Sequence, residues 1–397
     1  MEKYADDAHR SRELVQIRTD VPILFDQDSF RYQGPTVERC FTLFSELGFR
    51  RLLADYAPSA VTVEKDYGVV RSETELTTLI SNIRSSHPIG LAVLPSNSDP
   101  MQADPVGVSI SLGTRHARYV PLGHRALDAD NNLSRSRSLE ILGKPLGDST
   151  VAKVGHDSKK ISLVLGRQGI EIKGVKTDTL IASYLLDPAS SHEISALAIE
   201  HLGYKSISTE QIIGKGSKAL SFADVPADAL YEFACESSDL PLQLADRLHS
   251  LLTENELGEL FSNLELPLVP VLIELEKAGV QIDTGALASQ SLSVQKKLDK
   301  YQKDIYLLAG EEFNINSPKQ LSVILFEKLQ LPSLKKTGKT KSASTSVSVL
   351  QELALTHELP AKVLEWRSLQ KLKGTYIDAL PGLVNPETGR IHTSFNQ

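Results

Sequence analysis

The residues best suited to chemistry lie in the last quarter of the chain. Four lysines fall within residues 335–341, among two threonines and a glycine, and Lys371 and Lys373 follow further along. Cations on flexible stems, set among hydroxyl groups, can hold phosphates without reading bases. The pattern indicates a phosphate-binding surface, although an isolated lysine run is as often a solvated loop.

The charge distribution favours a local basic surface over a generally basic protein. The net charge is −7, yet residues 290–378 carry fourteen Lys and Arg against nine Asp and Glu. That stretch is therefore at +5 and the remainder at −12. Such asymmetry is typical of a phosphate-facing surface on an otherwise acidic chain.

Length and composition limit the class of protein. With 397 residues, 41% hydrophobic and 23% charged, the chain has the composition of a globular protein, and its length suggests roughly two to three domains. No apolar run approaches the ~20 residues of a membrane span, and the charged N-terminus argues against a secretory signal. Cys40 and Cys235 lack metal-ligand spacing, which predicts reduced thiols and a cytoplasmic protein.

The elements that must position these residues follow three patterns along the chain. Residues 1–60 contain a charged, helix-compatible segment, a linker and a helix at 37–47. Residues 61–255 alternate between apolar runs and amphipathic segments, which favours a sheet covered by helices. From residue 256 the pattern is mainly helical.

Individual elements can be placed within these parts. The predicted strands are 61–64, 68–70, 89–94, 106–111, 117–120 and 151–155. The predicted helices of the α/β part are 72–84, 136–142, 158–168, 179–186, 194–202 and 228–252. The predicted helices of the last part are 273–277, 287–308, 320–329, 347–355 and 362–376.

Three ordered motifs resemble the bacterial DNA polymerase I family, that is, family A. They are residues 266–283, 314–327 and 371–397. The resemblance implies that residues 256–397 are the polymerase thumb, which clasps primer–template DNA, and the entry to the palm. It also implies an RNase H-like 3'-5' exonuclease domain at 61–255, and a linker and tail of the 5' nuclease domain at 1–60. The expected fold class is thus an α/β RNase H-like domain followed by a mainly α-helical thumb.

The same resemblance assigns contacts with the DNA backbone to the helical part. Small polar groups at a helix start can donate to phosphate, and lysines at the thumb tip would lie over the minor groove. The implied DNA-binding residues are Asn314, Asn316, Ser317, Lys319, Lys335, Lys336, Lys339, Lys341, Thr345, Ser346, Lys371 and Lys373. Such contacts position a duplex and carry little sequence information.

The exonuclease-like part lacks the residues that its chemistry requires. Phosphodiester hydrolysis on this fold uses two metal ions held by carboxylates, and aliphatic residues cannot replace those ligands. Where the family's motifs carry carboxylates and a tyrosine, this chain has Leu94, Ser96, Ile161, Phe233 and Ser237. Four nearby carboxylates are offset along their elements and should point elsewhere. They are Asp99, Asp157, Asp178 and Asp239, and Asp178 is expected to be structural. We therefore expect neither catalytic residues nor a metal site.

Two classes of function remain open. The chain could be part of a DNA-directed DNA polymerase I, a nucleotidyltransferase of replication and repair. The palm and fingers would then lie in the same parent chain or in a separate polypeptide, because nothing in residues 1–397 replaces them. Alternatively, it could be a stand-alone, non-catalytic DNA-binding module from a truncated gene. The abrupt end at Gln397 favours the first class, and the missing carboxylates disfavour a third one, an active proofreading nuclease.

Expectations for ligands and location follow from the resemblance. This chain should need no cofactor, whereas its parent polymerase would use Mg²⁺. The expected partner is duplex or primer–template DNA, with no membrane contact. The protein is expected to be a monomer in the bacterial cytoplasm, associated with the nucleoid.

Overall fold

Three helices form the described elements of the first compact unit of the chain, Met1–Pro58; the second unit is Ser59–Gln397. The structure is a computed structural model that describes residues 5–22, 26–28, 30–32, 34–57, 64–85, 87–125, 132–333 and 343–397. The helices are α1 (Ala5–Val15), α2 (Val37–Glu46) and α3 (Arg50–Tyr56). The sequence predicted α1 and α2. It did not predict α3, whose seven residues are too few for a clear periodic signal.

The second unit begins with an α/β part built on a sheet. Its strands are β1 (Asp66–Val69), β2 (Ile89–Pro95), β3 (Pro105–Gly113), β4 (His116–Pro121), β5 (Lys153–Gly155) and β6 (Val175–Asp178). The strand order is β1-β4-β3-β2-β5-β6. The pairs β2–β3 and β3–β4 are antiparallel, and β1–β4, β2–β5 and β5–β6 are parallel. This sheet confirms the predicted α/β class, although β6 was missed because it is short and half polar.

Helices cover both faces of the sheet. They are α4 (Glu73–Ser81), α5 (Arg135–Gly147), α6 (Ser158–Gly166), α7 (Thr179–Leu186), α8 (Ile194–Leu202), α9 (Thr209–Ile213) and α10 (Ala227–Glu254). Ser72 begins α4 by accepting a hydrogen bond from the Glu75 N–H, as its capping sequence predicts. No helix among the described residues is long and apolar enough to cross a membrane.

Strand β3 shows how the two faces are filled. Because side chains alternate along a strand, Val108 and Ile110 join the core under α4 and α5. Ser109 and Ser111 lie on the other face, where they hydrogen-bond Ser238 and Asp239 of α10 at 2.8 and 3.2 Å. The polar side chains on one face of this central strand thus form hydrogen bonds with polar side chains of α10, the longest described helix.

The remaining part of the second unit is helical, as predicted. Its elements are α11 (Gly258–Leu260), α12 (Leu266–Ala278), α13 (Thr284–Ala309), α14 (Pro318–Ser322), α15 (Val347–Leu353) and α16 (Glu358–Lys371). Helices α13 to α16 share one core that contains Leu298, Ile305, Val363 and Trp366. The indole of Trp366 is only 6% exposed, which is consistent with a packing role.

Wider π-helical turns extend several of these helices. They cover Phe261–Glu265, Val323–Lys328 and Leu372–Ile377. The first one precedes Pro267, whose missing N–H leaves the carbonyl four residues earlier without its α-helical donor. The predicted helices at 320–329 and 362–376 change from α-helix to π-helix along their length. Hydrophobic spacing did not indicate this change.

Candidate nucleic-acid interface and nuclease-like pocket

An open pocket of about 520 Å³ lies between β2, α6 and α10. Four of the five positions that the sequence singled out in the nuclease-like part line it. They are Leu94, Ile161, Phe233 and Ser237. The fifth, Ser96, does not line the pocket, and its hydroxyl accepts a hydrogen bond from the Asp104 N–H at 2.9 Å.

The wall of this pocket is apolar where a two-metal site needs oxygen ligands. Leu94, Ile161 and Phe233 are 5%, 6% and 8% exposed, and the Phe222 ring stacks on Phe233 at 5.7 Å. The Ser237 hydroxyl donates to the Phe233 carbonyl of its own helix at 2.8 Å. Within the described part of the chain, no group of three or more His, Cys, Asp or Glu residues could hold a metal ion.

Asp178 and Asp157 are committed to the ends of helices. Asp178 accepts from the Ser158 N–H and hydroxyl, both at 2.6 Å, and from the Leu180 N–H at 2.9 Å. Asp157 lines the pocket but has a left-handed φ of 60° and begins α6 by accepting from the Lys160 N–H. Burial and the neighbouring Asp178 raise the pKa of Asp157. Both carboxylates therefore have local structural roles.

The other two carboxylates considered from the sequence lie elsewhere. Asp239 accepts from the Tyr67 hydroxyl at 2.7 Å, the Gln243 amide at 2.6 Å and the Arg115 N–H at 2.9 Å. Burial, with Asp239 beside it, raises the pKa of Tyr67, which keeps that donor protonated. Asp99 accepts from the Met101 N–H within a turn. Neither residue lines the pocket.

Sequence reasoning missed the polar residues at the pocket. His156, Lys160, His192 and Glu193 all line it. His156 Nδ1 lies 2.9 Å from the Thr179 hydroxyl, and burial lowers the pKa of this histidine. A neutral imidazole that already has a hydroxyl partner does not replace a set of carboxylates. No signal in the sequence identified these residues, because they come from separate loops and helices.

The start of α14 brings four of the predicted DNA-binding residues together. Ser317 caps the helix by accepting from the Gln320 N–H at 3.3 Å, and the Gln320 side chain accepts from the Asn314 N–H at 2.7 Å. Asn316 donates its N–H to the Asn314 side chain at 3.0 Å. Asn314, Asn316 and Lys319 are exposed. The loop is therefore ordered by its own hydrogen bonds while it presents amides and a cation to solvent.

The predicted lysine loop, residues 335–341, lies outside the described residues, and so do its lysines Lys335, Lys336, Lys339 and Lys341. The described residues after it differ in exposure. Ser346 is exposed at the start of α15, but Thr345 is only 8% exposed, so its side chain offers little surface to a ligand.

Arg367 was not singled out from the sequence. Its guanidinium donates to the Thr345 carbonyl at 2.9 Å, and burial lowers its pKa. It therefore links Thr345, in the described segment after the lysines, to α16.

The lysine at the end of α16, Lys371, and the one just beyond the helix, Lys373, have different environments. Lys371 is exposed, and no ion pair involves it among the described residues. Lys373 is 16% exposed and lies 2.5 Å from Asp378, whose other oxygen accepts from the Ser291 hydroxyl. Lys373 therefore has an internal carboxylate partner, and its contact with DNA stays a prediction.

Comparisons with known proteins define the class of this fold. Residues 103–237 match the family described as DNA polymerase I, ribonuclease H-like domain, and residues 284–397 match DNA polymerase family A. A solved structure titled "POL domain of Pol1 from M. smegmatis complex with DNA primer-template and dNTP" is similar over 83% of this chain and 52% of that chain. Its TM-score is 0.67 at 27% identity. The protein is thus an RNase H-like domain followed by a family A polymerase region.

The curated relatives identify the family more closely. DNA polymerase I of Pseudomonas aeruginosa is 36% identical over 100% of this chain and 45% of its own length. DNA polymerase I of Geobacillus stearothermophilus is 36% identical over 100% of the chain and 43% of its own length. The chain belongs to the bacterial DNA polymerase I family and spans less than half the length of these relatives.

Proposed function

We propose that this chain is the part of a DNA polymerase I that holds primer–template DNA, and that its nuclease-like domain is a scaffold without hydrolytic activity. The pocket supports the second half of the proposal. Leu94, Ile161 and Phe233 form its wall, and Asp157 and Asp178 are engaged in helix ends. Glu193 is the one other carboxylate among the described residues that line the pocket. Without clustered carboxylates, the pocket cannot hold two metal ions in the arrangement that hydrolysis needs.

The exposed polar groups of the helical part support the first half. Asn314, Asn316 and Lys319 face solvent at the start of α14, and Lys371 does so at the end of α16. Arg367 secures the segment that follows the lysine loop. The similar structure from M. smegmatis is titled as a complex with DNA primer-template. Amides and unpaired cations suit contacts with phosphates, which are independent of base sequence.

Duplex binding can be measured by fluorescence anisotropy with two primer–templates of unrelated sequence. We expect similar affinities for both and a strong dependence on salt. Lys319→Ala with Lys371→Ala should lower the salt slope by roughly two, because roughly one unit is lost for each phosphate contact. Lys144→Ala with Lys205→Ala, exposed lysines of the α/β part, is the matched control. An unchanged slope in the first pair would count against the interface.

The lysine loop needs a separate variant. Lys339→Ala with Lys341→Ala should weaken binding to the two duplexes equally, since a phosphate contact does not distinguish bases. A change that affects one sequence only would contradict a backbone contact. Because the metal-dependent chemistry would lie elsewhere in the polymerase, EDTA should leave duplex affinity unchanged.

The absence of nuclease activity is tested with single-stranded DNA labelled at its 5' end. Incubation with Mg²⁺ or Mn²⁺ should leave the DNA at full length. Metal-dependent shortening from the 3' end would overturn this half of the proposal. A known 3'-5' exonuclease in a parallel reaction confirms that the substrate can be degraded.

The size of the native protein separates a polymerase part from a stand-alone binding module. An antibody to residues 284–397 would detect the protein in extracts of its source cells. A band far above 43.5 kDa would place these residues in a longer polymerase that uses Mg²⁺ for synthesis. A band at 43.5 kDa would favour the binding module, with the palm and fingers supplied by another polypeptide or absent. A monomer associated with the nucleoid is expected in either case.

A further inference from the structure

Helix α6 links the nuclease-like part to the polymerase-like part. Its residue Ile161 lines the pocket, and the helix also packs against α12. At its end, Gly166 lies beside the side chain of Lys277, where a Cβ would stand 3.4 Å from the lysine Cε. One helix therefore borders the lost catalytic site and also forms an interface.

A buried ion pair lies at the centre of this interface. Lys159 Nζ is 2.6 Å from Glu276 Oε1, and the two side chains are 15% and 2% exposed. The same carboxylate oxygen accepts a hydrogen bond from the Phe395 N–H at 2.8 Å. The Lys159 ammonium also donates to the Phe395 carbonyl. Three separate parts of the chain thus meet at one carboxylate.

Residues 391–397 run along α12 through further hydrogen bonds. Ile391 exchanges two backbone hydrogen bonds with Val280, at 2.8 and 2.9 Å. His392 Nδ1 lies 2.7 Å from the Glu276 carbonyl, and the Gln397 amide donates to the Glu265 carbonyl at 2.6 Å. The ammonium of Lys159 adds a contact from the α/β part to this segment.

A buried charge needs a partner, and this makes the contact between Lys159 and Glu276 important for the position of residues 391–397. A carboxylate shielded from water is stable as an ion only while its cation and its hydrogen-bond donors stay in place. Without Lys159, the buried Glu276 carboxylate loses its cation, and its hydrogen bond with the Phe395 N–H is weakened as the site rearranges. The aliphatic residues of the pocket take no part in this arrangement. A domain can therefore lose its metal ligands and keep this contact.

We propose that Lys159 is a positioning residue and that the Lys159–Glu276 pair holds residues 391–397 on α12. The inference rests on the scaffold role in the proposed function and names the contact that performs it. The nuclease-like domain thus has a structural role in the chain, because its helix α6 holds residues 391–397 in position.

Hydrogen–deuterium exchange on the full 397-residue chain tests this role. Lys159→Met should speed exchange of the Phe395 amide by about tenfold, while the amides of β2 and β3 change by less than about twofold. Lys160→Met is the matched control, because Lys160 is the next residue on α6 and has no ion pair among the described residues. Lys159→Arg should keep the protection, since it retains the cation. Equal exchange in Lys159→Met and Lys160→Met would overturn the proposal.

A double variant shows whether Lys159 acts through Glu276. Glu276→Gln removes the charge that Lys159→Met would leave unpaired. The variant that carries both changes should therefore exchange the Phe395 amide no faster than Lys159→Met alone. Additive effects would overturn the pairing. If Lys159→Met does not fold, the double variant should restore folding, and failure to do so contradicts the role. Duplex binding measured on the same samples keeps the two proposals apart: a wild type without duplex affinity refutes the DNA-holding function, whereas unaltered exchange in Lys159→Met refutes the positioning role.

Discussion

Ile161 illustrates, at the scale of one residue, how an aliphatic side chain stabilises the fold at the wall of the pocket. The residue is 6% exposed on α6, and its Cδ1 would lie 3.3 Å from a Cβ placed on Gly155. It fills space between helix and sheet, where a carboxylate would need a metal ion to be stable. An aliphatic side chain at this position thus contributes packing and offers no ligand to a metal ion.

Ile161→Asp should destabilise the chain without creating a nuclease. Burying an unpaired carboxylate should lower the free energy of unfolding by about 2–4 kcal/mol at pH 7. Because burial raises the pKa of the introduced group, the loss should grow as pH rises above the unfolded value of ~3.9 and fade below it. Urea unfolding at pH 7 and at pH 4.5 measures the difference. Ile161→Val should cost about 1 kcal/mol at both values, and an equal pH dependence in the two variants would refute this account.

Arg367 and Lys373 show that exposure and pairing decide which cations can meet a ligand. Lys373 has an internal partner in Asp378, and Arg367 is engaged with the Thr345 carbonyl. Lys371, which stands between them in sequence, is exposed. Three cations within seven residues therefore have three different environments. Only the folded chain distinguishes them.

At the scale of elements, α10 determines how the α/β part is assembled. This helix of 28 residues packs on β2, β3 and β4, and its polar residues Ser238 and Asp239 bond the serines of β3. The approach is closest at Gly90 of β2, where a Cβ would lie 2.0 Å from the Ser238 carbonyl oxygen. Glycine at this position is required by close contact of two backbones.

Gly90→Ala should therefore be strongly destabilising. The added methyl group would force α10 and β2 apart, which should lower the free energy of unfolding by about 3 kcal/mol or more. Gly113→Ala in β3 is the control, because no atom lies within 4 Å of its Cβ position. It should change stability by less than about 0.5 kcal/mol. Thermal or urea unfolding compares the pair, and similar losses would show that the helix–strand contact is not tight.

At the scale of the whole second unit, an ion pair joins the α/β part to the turn that contains Glu387, just before residues 391–397. Asp104 pairs with Arg135 at 2.7 Å and accepts from the Gln168 amide at 3.1 Å. The residue before Gln168 in the chain, Arg167, pairs with Glu387 at 2.9 Å. The Arg135 guanidinium lowers the pKa of Asp104, and that of Arg167 lowers the pKa of Glu387. Of these contacts, the Arg167–Glu387 pair directly follows α6 and adds a second ion pair to the one between Lys159 and Glu276.

Asp104→Asn should reduce the sensitivity of the chain to acid. The folded pKa of Asp104 lies below its ordinary value of 3.8. Its ionised form therefore stabilises the fold fully above that value, and this contribution is lost as pH falls through the folded pKa. Below pH 3.8, the urea midpoint of the wild type should fall more steeply than that of Asp104→Asn. The difference between the two midpoints that is present at pH 7 should therefore become smaller as the pH falls. Parallel curves would mean that this ion pair contributes nothing to the pH dependence.

The sequence by itself determined the kind of fold and the family. Hydrophobic spacing predicted most of the strands and nearly all long helices, since burial imposes periods of two and 3.6 residues on a chain. It placed helices at 179–186 and 194–202 within the bounds that the structure has for α7 and α8. Motifs along the chain also indicated the polymerase family, and the comparisons confirm it.

Only the tertiary structure decided which side chains meet. Leu94, Ile161 and the pair Phe233 and Ser237 come from three distant parts of the sequence and line one pocket, whereas Ser96 does not line it. The junction of Lys159, Glu276 and Phe395 joins residues separated by 117 and 119 positions. Local patterns cannot reveal such contacts, because the packing of α6 on α12 and the path of residues 391–397 depend on the whole unit. The sequence therefore indicated positions without metal ligands, and the fold showed how α6 contacts α12 and residues 391–397.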